Sequence, residues 1–346
     1  MRDRLESTLK LAIVGANGLV TEALLAVIEQ QSTLSGEVVL LGHAESSQAP
    51  VEFNQQMLLI EDIDAYAFDQ IDVLVATGEL EYRGDWLARA SEAGCIVLDV
   101  GGHLPGQEHS PRLVAGVNDA ELDEVARGSV VVLPEGAVTQ AARLLYPLTQ
   151  QLDIERVSLF NCQAVSDLGR SGVEEMARQT AQMLNGKPAK PVLFSGQVAF
   201  NLLPMAADEV MGAGGEPQSG FSHQLSRILA APELNIQVSN CLAPVFYGNT
   251  QALHITAAQE VELGAVQRIL TRMPEVEAEW DAKELPTAVS EGSGSDCVTV
   301  GGLSSGFKNT TEFSLWAVAD NLRYGIAGNA VKIIELLVKR SLISYS

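Results

Sequence analysis

A glycine-rich turn near the start of the chain is the first pattern with chemical meaning. The segment Gly15-Ala-Asn-Gly18-Leu-Val-Thr21 follows an apolar strand-like stretch and opens one with helical spacing. Gly15 permits a tight turn, and Gly18 lets the backbone approach a pyrophosphate, which a helix N-terminus attracts. Thr21 stands where the usual fingerprint has a third glycine. The turn predicts dinucleotide binding; a Rossmann-like turn that binds nothing is the alternative.

The residues that would read the ribose of such a nucleotide follow the second strand, where the chain runs Leu41-Gly42-His43-Ala44-Glu45-Ser46. This stretch has no arginine to hold a 2′-phosphate, and the charge of Glu45 would oppose one. NAD is therefore at least as plausible a ligand as NADP.

Thiols and imidazoles offer no recognisable metal site. Cys95, Cys162, Cys241 and Cys297 are far apart and form no CxxC pair, which excludes a zinc knuckle and fits a reducing compartment. The histidines His103 and His109 flank a Gly/Pro loop at a spacing that is poor for a metal, and we expect them on the surface. His254 is expected to be a satisfied residue of a strand.

Bulk properties limit the partners. With 346 residues the chain is long enough for two domains. It carries 44 acidic against 22 basic residues, a net charge of -22, which argues against nucleic-acid or anionic-membrane partners. No apolar run approaches the ~18 residues of a membrane span. Leu11 to Val14 is too short for a signal-peptide core, so we expect a cytoplasmic protein.

Alternating elements in the first half predict a parallel, doubly wound sheet. Strands are expected in LKLAIVGANG, EVVLLGH, IDVLVATG and CIVLDVGG, and helices in LVTEALLAVIEQQ and DWLARASEAG, the second closed by Gly94.

Beyond about residue 150 the pattern favours an α+β domain with a mixed or antiparallel sheet. Long strands are expected in RVSLFNCQAVSDLG, KPVLFSGQVAFNLLP, NIQVSNCLAPVFYGNTQALHITA and DCVTVGGLS. Helices are expected in GVEEMARQTAQMLNG, in GAVQRILTRMPEVEAEW, where the proline in effect ends the helix, and from Asn329 onward. The Gly/Ser-rich stretch 212–220 is expected to be a flexible loop.

Six blocks in order resemble the aspartate-semialdehyde dehydrogenase family across essentially the whole chain. They are GANGLVTEALL, VATGELE, PRLVAGVND, NCQAVSDLGRSGVEEM (similar to the family's QAVSG…G…GVxEL), FNLLP and DNLRYGIAGNAVKIIELL. The resemblance implies a Rossmann-type NAD(P)-binding domain over 1–133 and 325–346, and a dimerisation and former catalytic domain over 134–324.

The resemblance also implies a chemistry and its residues. Family members belong to amino-acid biosynthesis, interconvert aspartyl phosphate and aspartate semialdehyde with NADP through a cysteine thiolate and a proton-relaying histidine, and form dimers or tetramers. The matching cofactor positions are Gly15, Asn17, Gly18, Leu19, Val20, Ala76, Thr77, Gly78 and Asn329. The matching pocket positions are Gln163, Ser166 and Gly169.

The catalytic positions depart from the family. Its nucleophile lies in a motif like Asn-Pro-Asn-Cys-x-Thr-x-Gln, and here Pro134 and Gln140 set the register that places Gly136 at the cysteine. Glycine cannot form an acyl intermediate. Leu242 replaces the substrate-binding arginine, and Asn249 replaces the histidine seven residues later; asparagine cannot act as a general acid or base.

Two further features of the family's active site are missing from this sequence. The family's phosphate-binding arginine maps near Leu104-Pro105, and its Glu and Lys pair has no counterpart near SHQLSRIL. Scaffold positions remain at Gln163, Asn321, Arg323, Gly325, Gly328 and Asn329. Together these features resemble the family's non-catalytic, Usg-type paralogues.

Three functions stay open at this point. The first is a non-catalytic homodimer that binds a dinucleotide or a partner protein. The second is an NAD(P)-dependent oxidoreductase that reduces an aldehyde or semialdehyde by altered chemistry, with Glu135, Asp167 or His103 as proton donor. The third is a scaffold with an empty nucleotide cleft. A nucleophile relocated to Cys162 is disfavoured, because Cys162 alternates with Gln163 along a strand and points to the opposite face.

Overall fold

The computed structural model describes residues 9–30, 34, 36–44, 50–78, 82–107, 109–206, 209–211, 217–280, 285–306 and 309–343. They group into two compact units. The first comprises Met1–Ala115, Asp119–Pro134 and Ala327–Ser346, and the second comprises Gly116–Asn118 and Glu135–Ile326. These bounds lie one or two residues from those expected at 133/134 and 324/325.

The first unit is a parallel sheet with helices. Its elements in chain order are β1 (Leu9–Val14), α1 (Leu19–Gln30), β2 (Gly36–Gly42), β3 (Val51–Phe53), β4 (Gln56–Leu58), β5 (Ile60–Asp62), β6 (Val73–Ala76), α2 (Trp86–Glu92), β7 (Ile96–Val100), a 3₁₀ helix (Asp119–Glu124) and β8 (Val130–Leu133). A short antiparallel hairpin joins β3 and β4.

The sheet of the first unit has the order β5-β2-β1-β6-β7-β8, and all its pairings are parallel. Read as strands 3-2-1-4-5-6, this is the order of a dinucleotide-binding Rossmann fold. Strands β6 and β7 are buried along their whole length, as expected for apolar runs covered on both faces. The sequence-based prediction of this sheet is confirmed.

The second unit contains a larger sheet and its helices. Its elements are α3 (Gly136–Thr149), β9 (Ile154–Gln163), a 3₁₀ helix (Val165–Leu168), α4 (Gly169–Leu184), β10 (Leu203–Pro204), β11 (Glu209–Met211), β12 (Pro217–Ser219), α5 (Phe221–Ile228), β13 (Asn235–Leu242), β14 (Asn249–Ala257), α6 (Leu263–Thr271), β15 (Val276–Glu279), a π-helical turn (Ala288–Gly292), β16 (Val298–Gly306), β17 (Asn309–Ala319) and a second π-helical turn (Arg323–Ala327). The chain then returns to the first unit as α7 (Gly328–Lys339), which packs against α1.

The larger sheet has the order β10-β13-β9-β14-β17-β16-β15. It is mixed, because β13 pairs with β9 in parallel while β14 pairs with β9 and β17 in antiparallel. One face of the sheet packs against helices α3, α5 and α6. The predicted mixed sheet is confirmed.

One expected strand is wrong. Residues 190–202 form no strand, and only Leu203–Pro204 pairs with β13. The cause lies in α4. The buried carboxylate of Glu175 accepts hydrogen bonds from the backbone N–H groups of Val192 and Leu193, and the side chain of Gln179 accepts from the N–H of Val198. Helix side chains thus satisfy the donors that a strand would use.

Other predicted bounds need correction. The long strand expected over 235–257 is two strands, β13 and β14, joined by a loop. The helix expected in 264–280, ended in effect by its proline, does end at Thr271, before Pro274, and β15 follows it. Proline cannot donate a helical hydrogen bond, which explains the stop. Of the expected loop 212–220, residues 212–216 lie outside the described residues, while Pro217–Ser219 pairs with Glu209–Met211.

Across the described residues, no helix is both long enough and apolar enough to cross a bilayer.

Candidate functional site

The glycine turn after β1 is tight and leads directly into the N-terminus of α1. Gly15 has a positive φ of 98°, and its N–H donates to the carbonyl of Leu41 while its own carbonyl accepts from the N–H of Gly18. The buried hydroxyl of Thr21 also donates to the carbonyl of Gly15, at 2.8 Å. The side chain of Thr21 therefore stabilises the turn through this hydrogen bond, at the position where the usual fingerprint has a glycine.

The predicted cofactor positions around this turn divide into exposed and buried ones. Asn17 is exposed and Gly18 is half-buried, whereas Leu19 and Val20 are buried in the first turn of α1. The tip of the turn at Asn17 thus faces solvent, while Gly15 and Ala16 are buried and the two apolar side chains anchor α1. An exposed turn at a helix N-terminus suits an anionic ligand.

A second glycine loop lies beside the first. β6 neighbours β1 in register, with Val14 opposite Ala76. The loop Thr77-Gly78 therefore leaves the sheet at the carboxyl ends of the strands, as Gly15 does. The hydroxyl of Thr77 donates to the carbonyl of Val14 at 2.9 Å and joins the two strand ends. The strand order reverses between β1 and β6, and α/β sheets bind ligands at the carboxyl ends of the strands that flank such a reversal.

A histidine lies close to this second loop. A Cβ at Gly78, whose φ is +75°, would overlap the imidazole of His103. His103 is held there because the buried carboxylate of Asp99 accepts hydrogen bonds from the N–H groups of His103 and Leu104, at 3.0 and 3.1 Å. His103 is therefore half-buried rather than fully on the surface, while His109 is exposed as expected.

The ribose-reading position is partly described. His43 is buried, and its Nδ1 lies 2.9 Å from a carboxylate oxygen of Asp64. The imidazole is therefore engaged with another residue of the first unit. Glu45 lies outside the described residues. Asn329, another predicted cofactor position, is fully buried. Its amide group accepts from the N–H of Ala115 and donates to the carbonyl of Leu113, so it holds this loop in place.

Gly136 lies in the second unit, at the first residue of α3. It is buried, and a Cβ added to it would overlap the backbone carbonyl of Asn321. The reverse contact is equally close, because a Cβ on Gly325 would lie 2.6 Å from the Cα of Gly136. The backbones of these two segments touch directly, so neither position has room for a side chain.

A buried carboxylate lies at the centre of the neighbouring polar cluster. Asp167 accepts hydrogen bonds from the side-chain amides of Gln163 (2.7 Å), Asn249 (3.2 Å) and Asn321 (2.6 Å). We call these four residues the amide–carboxylate cluster. The side chain of Asn321 also accepts from the N–H of Gly248. Asn321 thereby connects the cluster to the backbone that covers Gly136.

Other predicted pocket residues support this cluster. The hydroxyl of Ser166 lies 2.9 Å from the amide nitrogen of Asn321. Gly169, with a φ of +66°, ends the preceding 3₁₀ helix and begins α4. Leu242 packs in an apolar cluster with Val165, Leu168, Met176, Phe194 and Val198. An arginine at that position would require a different set of neighbours.

Burial decides the protonation of the cluster. Desolvation raises the pKa of Asp167 to about 6, against the lowering effect of the three amide donors. Asn249 has no group that titrates; its side-chain oxygen accepts from the N–H of Ala164 at 2.8 Å. Asp167 is therefore the only one of the four side chains in the cluster that titrates.

The remaining thiols do not join this cluster. On β9, Gln163 faces the helices while the neighbouring Cys162 is half-buried on the other face, in agreement with strand alternation. Cys95 and Cys241 are buried, and Cys297 is half-buried. His254 is exposed on its strand. Within the part of the chain that the structure describes, no three His, Cys, Asp or Glu residues come together as metal ligands.

Sequence reasoning missed the central role of Asp167. The signal was present, because the family pattern QAVSG has a glycine where this chain has QAVSD. The contact between Gly136 and Gly325 could not be read from the chain, since nothing in the sequence links two glycines so far apart.

Comparisons with known proteins agree with this geometry. A family model for the semialdehyde dehydrogenase NAD binding domain matches residues 10–125, and one for the semialdehyde dehydrogenase dimerisation domain matches residues 145–324. A USG-1 protein homologue of Azotobacter vinelandii is 35% identical over 331 residues, covering 95% of this chain and 98% of that protein. Aspartate-semialdehyde dehydrogenase 2 of Vibrio cholerae is 30% identical, covering 95% and 97%.

A solved structure is also similar. The structure of a probable aspartate-semialdehyde dehydrogenase from Pseudomonas aeruginosa superposes with a TM-score of 0.85 at 32% identity, covering 96% of this chain and 99% of that one.

The cluster generates a prediction about pH. Folding raises the pKa of Asp167 from 3.8 to about 6, so the native state binds this proton more tightly than the unfolded state. The resulting stabilisation is present below about pH 4 and is lost as the pH rises to about 6. It amounts to roughly 2–3 kcal/mol, at about 1.4 kcal/mol per pKa unit. In Asp167→Asn, the unfolding free energy should lack this decline.

Denaturant titrations of the wild type and Asp167→Asn between pH 4 and 7 measure this difference. Glu233→Gln, which neutralises an exposed carboxylate of the same unit, is the control and should follow the wild type. Parallel curves for Asp167→Asn and the wild type would contradict the assignment.

Proposed function

Because the chain belongs to the semialdehyde dehydrogenase family, we propose that it is a member without aspartate-semialdehyde dehydrogenase activity that binds a dinucleotide and forms a homodimer. The observation that carries the proposal is Gly136. It stands at the position that matches the family's nucleophile, has no side chain, and is covered by the backbone of Asn321.

Loss of the nucleophile is accompanied by closure of the surrounding pocket. The two positions that would handle the proton and the substrate carboxylate are Asn249 and Leu242. Asn249 is hydrogen bonded to Asp167, and Leu242 is packed among apolar side chains. A substrate carboxylate brought here would meet the negative charge of ionised Asp167 and no cationic partner at Leu242. Burying an unpaired carboxylate is costly.

Dinucleotide binding is supported by the first unit. The glycine turn keeps its positive φ, its exposed tip and its place at the strand-order reversal, and the matching family model is an NAD binding domain. These features do not depend on the residues lost in the second unit. NAD and NADP both remain candidates, with NAD at least as favourable because His43 and Ala44 offer no guanidinium to a 2′-phosphate.

Homodimerisation is supported by the second sheet. The face of this sheet that points away from α3, α5 and α6 carries Ser158, Phe160, Ala252, His254, Ser314 and Trp316. Phe160 is 42% exposed at its centre, and a large exposed aromatic on an open sheet face is a frequent interface feature. The family model that matches residues 145–324 is described as a dimerisation domain. The occupant that we propose for this face is a second copy of the chain.

A second candidate function has one observation in its favour. Reduction of an aldehyde by direct hydride transfer from NADH or NADPH needs a proton donor but no thiol. Asp167 has a pKa raised to about 6 and touches Asn249, so it is the best-placed donor in its unit. Oxidation of reduced cofactor by small aldehydes, lost in Asp167→Asn, would favour this function. A scaffold with an empty cleft is the third candidate.

The nucleotide proposal predicts saturable binding. Calorimetric titration of the purified chain should give a dissociation constant for NAD no weaker than that for NADP. Gly18→Asp places a negative charge in the turn and should weaken binding by about tenfold or more, or about 1.4 kcal/mol. Ala67→Asp, which adds the same charge at an exposed position of the same unit, is the control. Absence of binding in the wild type would support the empty scaffold instead.

The homodimer proposal predicts a dimer at micromolar concentration by light scattering. Phe160→Glu should shift it towards monomer, because a charge would be buried in an apolar interface. Met57→Glu, a change at an exposed apolar residue of the first unit, should leave the dimer intact. A monomeric wild type, or a Phe160→Glu variant that dimerises as well as the wild type, would refute the assigned face.

The activity proposal predicts no phosphate-dependent reduction of NAD or NADP with aspartate semialdehyde. Gly136→Cys should stay inactive and lower the melting temperature, since its Cβ overlaps the carbonyl of Asn321. Adding Asn249→His and Leu242→Arg restores the matching side-chain types, yet Asp167 still occupies the cluster. The set that also contains Asp167→Gly combines the thiol, the histidine and the substrate-binding arginine of the family pattern, while the phosphate-binding arginine and the Glu and Lys pair stay absent.

Ala181→Cys, at an exposed position of α4, controls for the introduction of a thiol. Substantial turnover by the unmodified chain would show that the register set by Pro134 and Gln140 is wrong.

A further inference from the structure

Two thiols that are 79 residues apart in sequence lie side by side in the second unit. Cys162 on β9 and Cys241 on the parallel strand β13 are directly paired in register. Their sulfur atoms are 3.4 Å apart and in hydrogen-bonding contact. Cys162 is half-buried and Cys241 is buried. They lie on the same sheet face as Phe160, opposite to the amide–carboxylate cluster.

The other two cysteines have different surroundings. Cys95 is fully buried in the first unit, where its thiol contacts the carbonyls of Phe68 and Ile71. Burial raises the pKa of Cys95 to about 11. Burial and the nearby carboxylates of Glu277 and Asp296 raise the pKa of Cys297. Both thiols are therefore kept protonated, which makes them poor nucleophiles.

Backbone geometry permits a bond between the paired sulfurs. Residues on neighbouring strands are about 4.8 Å apart, which lies within the Cα separation of roughly 4.4–6.8 Å that disulfides span. The sulfurs must approach each other by about 1.4 Å to reach a disulfide length of about 2.0 Å. Small rotations of the two side chains supply this movement, and the register of the strands is retained.

The contact also makes one of the two thiols easier to ionise. The hydrogen bond shared with Cys162 lowers the pKa of Cys241, while the pKa of Cys162 is raised because its proton is held between the two sulfurs. A thiolate is the form of cysteine that reacts with oxidants. A thiol directly beside it is placed to resolve the oxidised product.

We propose that Cys162 and Cys241 form a reversible dithiol–disulfide site that hydrogen peroxide closes and thiol reductants reopen. The thiolate of the pair attacks one peroxide oxygen; an S–O bond forms, the O–O bond breaks, and hydroxide leaves and takes up a proton. The second sulfur then attacks the sulfenic acid sulfur; the S–S bond forms, the S–O bond breaks, and water leaves with the second thiol proton. Two thiols and one peroxide thus give one disulfide and two water molecules.

The location of the pair links its redox state to the site on the other face. Gln163 and Leu242 directly follow Cys162 and Cys241 in the chain, and they too are paired in register. A disulfide would therefore fix the strand ends that carry Gln163 and Leu242. This inference goes beyond the proposed function and holds whether or not a dinucleotide binds. Because the pair lies on the sheet face that the proposed homodimer would cover, peroxide reaches it in the dissociated chain.

Peptide mapping of the oxidised full-length chain tests the proposal. The reduced protein is treated with stoichiometric hydrogen peroxide, free thiols are alkylated, and the digest is analysed without reduction. We expect a loss of two hydrogens per chain, a peptide pair that links Cys162 to Cys241, alkylation of Cys95 and Cys297, and reversal by dithiothreitol. Cys297→Ala is the matched control and should behave as the wild type.

Single variants give a second readout. In Cys162→Ala and in Cys241→Ala no internal link can form, so the remaining sulfenic acid should be trapped by dimedone, and trapping in the wild type should be much weaker. The proposal is overturned if peroxide modifies Cys95 or Cys297 before any link appears. It is equally overturned if the link joins two chains, which a non-reducing gel shows. The wild-type map is decisive even if a variant fails to fold.

Discussion

The second unit depends on the direct backbone contact between Gly136 and the segment from Asn321 to Gly325. No side chain fits at Gly136 or Gly325 without displacing backbone atoms of the other segment. This close approach places the side chain of Asn321 where it reaches both Asp167 and the N–H of Gly248. The absence of a thiol at Gly136 is therefore part of the packing of this region. A side chain there would compete with the contact that positions the polar residues around it.

Asp167 accepts hydrogen bonds from three buried amide groups, at a position where the family pattern has a glycine. Three amide side chains converge at this point in a fully buried region, and unpaired amide donors there would cost roughly 1–3 kcal/mol each. A glycine at position 167 would remove the acceptor that the three amide groups share. The carboxylate supplies that acceptor, at the expense of a pKa raised to about 6 by desolvation. The same substitution that satisfies the cluster removes the space and the charge balance that a carboxylate ligand would need.

The parts of this fold that follow from the sequence are those governed by local periodicity. The apolar runs of β6 and β7 and the glycine turn at Gly15 act over a few residues, so the parallel sheet could be predicted. The expected strand over 190–202 failed because its backbone donors are satisfied by Glu175 and Gln179, whose effect depends on tertiary placement. Two other contacts are likewise long-range, namely the pairing of Cys162 with Cys241 and the contact of Gly136 with Gly325. Neither contact can be predicted from the spacing of cysteines or glycines along the chain.

The two units differ in what their sites leave open to a ligand. In the first unit, hydrogen bonds from Thr21 and Thr77 go to the backbone carbonyls of Gly15 and Val14, which fixes the shape of the turn while its tip at Asn17 stays exposed. In the second unit, Gln163, Asn249 and Asn321 direct their amide groups inward to Asp167, and the position beside them has no side chain. Polar side chains that hydrogen bond to the backbone behind a turn leave the exposed surface of the turn available to a ligand. Polar side chains that hydrogen bond to one another use their donors and acceptors on each other instead of on a ligand. This difference in the direction of hydrogen bonding is the physical reason to expect nucleotide binding to outlast the chemistry in this chain.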